Sequence, residues 1–251
     1  MALDLAVRPD GSRDHRILRN RQSAKRARLS PDRKWVAFIG APPGKAPMSD
    51  FDIQLVRLDG TGLRRVTSTA DWDIDAAWSP DGRWLSFTRS APSPNGCADA
   101  SIWVVRRDGS DPRHVAAGCG ARWSPDGTEL VYTSPDGHDF SVVDVNGGTP
   151  RLLLSPPAAA YQQAAGWSPV QKAILFTRTS DQTGRSGDVF VIAPDGTGIR
   201  KLGAGFAGAW SPGGRHVLYT RSFSSALFVM DADGSGKRQL VATLASEPDW
   251  R

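Results

Sequence analysis

Asp71-Trp72-Asp73-Ile74-Asp75 sets three carboxylates and an indole within five residues, a combination able to chelate a cation or to grip a polar ligand by stacking. The same aspartates equally suit a structural role, because Asp side chains satisfy the backbone N–H groups of turns. Catalytic chemistry has little else to draw on. The histidines His15, His114, His138 and His216 fall at unrelated places, and zinc-type spacing is missing. No Gly-x-Ser-x-Gly elbow occurs. Asp231-Ala232-Asp233-Gly234-Ser235-Gly236 imitates half of a calcium loop, but its twelfth position is Ala242, which offers no carboxylate. Gly234-Ser235-Gly236-Lys237 lacks the upstream Gly and the Ser/Thr of a phosphate loop. The reading is a chain without catalytic residues, metal or cofactor.

The cysteines are Cys97, in the Ser/Pro/Asn-rich stretch 91–96, and Cys119. If they share one rim of neighbouring units they can meet as a disulfide, which would imply an oxidising compartment; the alternative is two unpaired thiols. The net charge is +5, and ten of the first 34 residues are Arg or Lys. The run 19–28 imitates the basic region of a DNA-binding zipper helix, but no leucine heptads follow and Pro31 stops a helix, so a basic blade edge or linker is expected, not nucleic-acid binding. No apolar run reaches the length of a membrane span, and the first residues lack the charged leader and apolar core of a signal peptide.

These groups must be positioned by a repeat. The phrase Ala77-Trp78-Ser79-Pro80-Asp81-Gly82-Arg83-Trp84-Leu85-Ser86-Phe87-Thr88 recurs at 121–133, 166–177 and 209–220, with a worn copy from Leu29 and a truncated one at Trp250. Anchors at 29, 78, 123, 167, 210 and 250 are spaced by 49, 45, 44, 43 and 40 residues, a period that points to propeller blades or a solenoid. Each unit reads as four strands: one ending in Trp-Ser-Pro-Asp-Gly, an alternating second, a β-branched third such as Val189-Phe190-Val191-Ile192, a second Asp-Gly hairpin, and a short basic fourth. Such sheets cannot bury both faces alone, so radial packing is expected. Residues two before each anchor (Ala27, Ala76, Ala121, Ala165, Gly208, Pro248) are small or Pro, which suits a crowded inner strand, and the anchor Trp is expected to fill the space between blades.

The phrase, coupled to Ile-x-Val-x-x-x-Asp-Gly-Ser/Thr and Arg-x-Leu, resembles the WD-like repeat of TolB-type β-propellers over nearly the whole chain. Counting the anchors and joining the N-terminal hairpin to the C-terminal inner strand gives an all-β, six-bladed propeller of four-stranded antiparallel blades in a single domain, 1–251, the closing blade having no obvious second strand. Residues 1–20 would supply the outer strands of the closing blade, 21–67, 68–116, 117–154, 155–203 and 204–242 the successive blades, and 243–251 the closing inner strand. Loops leading into inner strands ring one mouth of a propeller channel, which singles out Asp71, Trp72, Asp73 and Asp75 with their counterparts Tyr161, Gln163, Phe206 and Glu247. The expected function is a noncatalytic protein-binding or scaffold module, extracytoplasmic by its resemblance. The alternatives are a small-ligand or carbohydrate sensor and the detached propeller of a prolyl oligopeptidase-type hydrolase. The sequence carries no signal for oligomeric state.

Overall fold

The computed structural model describes residues 4–6, 15–16, 24–40, 51–92, 97–156, 160–180, 185–222, 224 and 226–241. Asp4–Ala6 (β1) and His15–Arg16 (β2) form a two-stranded ribbon. Five four-stranded antiparallel sheets follow. The first holds Ala24–Leu29 (β3), Trp35–Gly40 (β4), Asp52–Arg57 (β5) and Arg64–Arg65 (β6). The second holds Trp72–Trp78 (β7), Trp84–Ser90 (β8), Ala100–Arg106 (β9) and Arg113–Ala117 (β10). The third holds Cys119–Trp123 (β11), Glu129–Thr133 (β12), Phe140–Asp144 (β13) and Arg151–Leu154 (β14). The fourth holds Tyr161–Trp167 (β15), Ile174–Thr179 (β16), Gly187–Ile192 (β17) and Arg200–Ala204 (β18). The fifth holds Phe206–Trp210 (β19), His216–Thr220 (β20), Leu227–Asp231 (β21) and Arg238–Val241 (β22).

The blade number corrects the expectation of six: among the described residues the molecule is an all-β propeller of five four-stranded blades. The N-terminal hairpin, read as the outer half of a sixth blade, pairs only with itself among the described residues. Its sequence supplies one hairpin and no alternating strand to continue it. Residues 243–251, with Glu247, lie outside the described residues. Residues 24–28 of the basic run belong to β3, the inner edge strand of the first blade.

Turn chemistry explains why each sheet forms. Ser79 Oγ donates to Asp81 Oδ1 (2.6 Å) and accepts from the Trp84 N–H (2.9 Å), while the Arg83 N–H reaches Asp81 Oδ1 (3.0 Å). Ser124 and Asp126 repeat this arrangement. In the second hairpin, Asp108 Oδ1 accepts from the N–H (2.9 Å) and hydroxyl (2.6 Å) of Ser110. Gly109 there has φ +91°, and a Cβ on it would come 3.0 Å from the Val66 carbonyl of the preceding blade; Gly196 and Gly234 stand likewise against Leu153 and Leu202. Glycine thus serves both the left-handed turn and the close approach of neighbouring blades.

The larger cores lie between blades, while two small clusters, Val36, Phe38 and Val56 and then Leu218, Leu227 and Val229, lie within the first and the fifth blade. One cluster joins Ile39, Ile53 and Leu55 of the first blade to Ala76, Trp78, Leu85 and Phe87 of the second, and further clusters join the second to the third, the third to the fourth and the fourth to the fifth. The small Ala76 and Ala121 are buried inside these clusters, so the neighbouring blade sets their size. The anchor indoles tie each inner strand to the one before: Nε1 of Trp78, Trp123, Trp167 and Trp210 donates to the carbonyls of Arg28 (3.0 Å), Ala77 (3.1 Å), Arg122 (3.2 Å) and Gly166 (3.3 Å). Each acceptor sits one residue before the preceding anchor, so the bond follows the repeat.

Candidate binding rim at the disulfide end

Antiparallel order sends the first strand of each blade toward its tight turn, so both tight hairpins of a blade lie at one end. The loops between second and third strands, and the connections into the next inner strand, lie at the other. Cys97, just ahead of β9, and Cys119, which opens β11, meet at this second end as a disulfide with Cα atoms 5.4 Å apart. The bond fastens a loop of the second blade to the inner strand of the third.

Asp71 stands half-exposed ahead of β7. Trp72 meets Phe51 edge-on at 5.1 Å, and its Nε1 is buried without a partner. Asp73 is fully buried and takes a two-pronged pair from Arg89, Nε at 2.7 Å and Nη2 at 3.0 Å. The Arg89 guanidinium also lies over the Trp103 ring at 4.6 Å. Asp75, at φ +58°, receives both Nη atoms of Arg122 at 3.1 Å and has Arg26 Nη1 at 3.9 Å, so one carboxylate links the inner strands β3, β7 and β11. Neither buried carboxylate of the cluster is therefore poised for a cation. Asp71 alone remains outside a guanidinium pair in this segment, and among the described residues no three His, Cys, Asp or Glu side chains gather as metal ligands would.

The counterparts sit along the same rim in later blades. Tyr161 is half-buried against the His138 ring at 4.7 Å, and His138 Nδ1 donates to the Ala160 carbonyl at 2.8 Å. Gln163 is exposed opposite Thr177, while its neighbour Gln162 turns inward and donates to the His138 carbonyl at 2.8 Å. Phe206 is half-buried opposite Thr220, close against Gly187. The rim thus spreads its aromatic side chains over several blades and does not converge them on one pocket.

Arg89, Arg122 and His138 are the rim residues that sequence reasoning missed. Hairpin register was a signal for Arg89, because it lies directly opposite Asp73. A second Ser-Pro-Asp-Gly at 134–137 was the signal for His138: Ser134 and Asp136 build the same turn here, at the loop end of the third blade, and set His138 against Tyr161. No local signal marked Arg122, since the register shifts between Ile74 and Ala77 and its partner comes from another blade.

Burial pushes the Asp75 carboxyl up, but the charge and hydrogen bonds of Arg122, with the charges of Arg26 and Arg28, outweigh it and hold the pKa at about 2. The folded value lies below the ordinary one, so the stabilisation is complete above about pH 4 and is lost as pH falls toward 2. Its size is about 2 kcal/mol. Asp75→Asn is expected to flatten that part of the acid-stability profile, as read by urea melts between pH 2 and 6; an unchanged profile would show that the pair contributes nothing.

The repeat and this architecture define an all-β propeller of four-stranded blades. Over 114 residues the chain is 33% identical to the Tol-Pal system protein TolB of Anaeromyxobacter dehalogenans, a match covering 43% of this chain and 25% of that protein. The chain thus spans about a quarter of the curated relative it matches. The TolB structure from Acinetobacter baumannii superposes with a TM-score of 0.72 at 20% identity, over 95% of this chain and 58% of that one. The putative TolB of Agrobacterium tumefaciens gives 0.71 at 18%, over 93% and 86%. A puromycin-hydrolysing peptidase of Mycobacterium tuberculosis shares the fold as well, with a TM-score of 0.62 at 19% identity over 91% of this chain and 39% of that one, so the fold by itself does not separate binding from catalysis. No protein-family model matches the sequence.

Proposed function

We propose that the chain is a noncatalytic propeller that docks a protein partner on the disulfide end, and that it works outside the cytoplasm. The observation that carries this reading is the rim itself: Trp72, Tyr161 and Phe206 lie along it partly exposed, with exposed Gln163 between them, and the Cys97–Cys119 bond braces it. Aromatic side chains on a braced, multi-blade surface suit a protein interface, where Trp and Tyr contribute most of the binding energy at low entropic cost. A disulfide suits an oxidising compartment. The matched relative is by name a component of the Tol-Pal system, which favours a protein partner over a small ligand.

A photo-crosslinking residue placed at Gln163 and activated in the native host tests the docking face, with the same residue at the exposed Arg215, in the tight turn of the fifth blade, as the control. A discrete adduct is expected at 163 and lost on Tyr161→Ala; equal adducts at both positions would remove the rim from consideration. Non-reducing peptide mapping of native protein tests the compartment. A linked Cys97–Cys119 peptide is expected, and free thiols would place the protein in a reducing environment.

A further inference from the structure

At the tight-turn end, away from the rim, a groove of about 550 Å³ runs between the second and third blades. Its walls are the turn prolines Pro80 and Pro125, and Trp84, Trp123 and Val145 give it an apolar lining. The repeat shows why it opens here. At the preceding junction Trp35 holds the place of Trp84, and the turn that faces it carries Arg107, whose guanidinium lies 5.9 Å from the Trp35 ring and 3.9 Å from Asp32. Arg57 and Arg64 lie over the same indole at 5.0 and 5.5 Å, just as Arg106 and Arg113 lie over Trp84 at 4.6 and 4.5 Å, so the two junctions differ at the facing turn. In the third blade the corresponding turn is Val145-Asn146-Gly147, so a short side chain replaces the arginine and leaves the cleft unfilled. At the next junction Glu129 stands in place of the tryptophan.

Two carboxylates face the groove. Asp81 and Asp126 stand on its two walls, each held by its turn through Oδ1. Asp81 has only the exposed Arg83 at 3.9 Å, and no cation pairs with Asp126 among the described residues. Arg113, the cation of the lining, lies over Trp84 beside Arg106, shares Asp111 with it at 3.8 and 3.7 Å, and is held away from the two turn aspartates by Asn146 at 3.2 Å. An indole-and-proline trough flanked by carboxylates has the chemistry that receives extended proline-rich chains, which keep their shape without internal hydrogen bonds and bring little entropy to lose. We propose that this groove binds a proline-rich peptide segment carrying an adjacent lysine or arginine, its prolines packed on Trp84 and Val145 and its cation between Asp81 and Asp126. The site is separate from the rim, so it stands whether or not the rim docks a protein.

Val145→Arg tests it, because it installs the residue that fills the homologous cleft at position 107. The probe is a fluorescent oligoproline capped by one arginine, followed by polarisation. Saturable binding to the unaltered protein is expected, weakened about tenfold or more by V145R, a difference readily resolved on the affinity scale, and weakened severalfold by Asp126→Asn, which keeps the turn acceptor and removes the charge. Tyr161→Ala, at the rim, should leave binding unchanged. Absent binding to the unaltered protein, unchanged binding in D126N, or equal binding of a glutamate-capped oligoproline would each overturn the proposal. Should V145R melt early, D126N and the glutamate-capped probe decide alone.

Discussion

Asp73→Ala is expected to destabilise the protein by about 3–5 kcal/mol, the scale of stranding one partner of a buried ion pair. Asp73 has no exposed surface and both its oxygens are taken by Arg89, whose side chain is 15% exposed. Without the carboxylate, the guanidinium keeps only the Trp103 and Phe87 rings, at 4.6 and 5.3 Å, which replace a part of the lost interaction. At roughly 2–4 °C per kcal/mol for a domain of this size, the midpoint should fall by about 6–20 °C. The double variant D73A/R89M should recover much of that loss, since removing both charges leaves neither unpaired. Thermal melts of the three proteins check this, and a single-variant loss under about 1 kcal/mol would show that water reaches Arg89 freely. A carboxylate acting as a cation ligand behaves differently, because its removal abolishes cation binding at small cost to the fold.

The blade unit was legible because all its signals are local. Ser79, Asp81 and Trp84 share one turn, and Asp108 and Ser110 another, so neighbours in sequence are partners in space. The blade count was not legible, since a hairpin such as β1–β2 reads the same whether or not a sheet continues beyond it. The Asp71–Asp75 segment divides along the same line. Arg89 is 16 residues from Asp73 and can be read from hairpin register, whereas Arg122 is 47 residues from Asp75 and enters from the next blade. Two bound carboxylates and two free ones look alike in sequence when their partners arrive through packing. The same holds at the tight-turn end, where the replacement of Arg107 by Val145 is visible in the repeat but acquires meaning only beside Trp84.

Trp78→Ala should also cost about 3–5 kcal/mol, through the cavity left by a large aromatic side chain. Trp78 is 2% exposed, packs in the cluster shared by the first two blades, and donates Nε1 to the Arg28 carbonyl at 3.0 Å. Trp78→Phe separates the contributions, because it keeps most of the apolar contact and removes the donor; about 1–2 kcal/mol is expected for stranding the carbonyl and losing ring volume. Leu29 holds the anchor position of the first blade without an indole, so the inter-blade bonds begin at Trp78 and the first blade is held through its neighbour's side chain. Hydrogen exchange should therefore show amides of β4 and β5 losing protection in W78A before those of β16 and β17. Because blades touch chiefly their neighbours, W78A and W210A should add to within about 0.5 kcal/mol, their junctions sharing no side chain. A double-variant loss well short of the sum would mean that the two junctions are coupled through the blades between them, and urea melts of the two single variants and the double distinguish these outcomes.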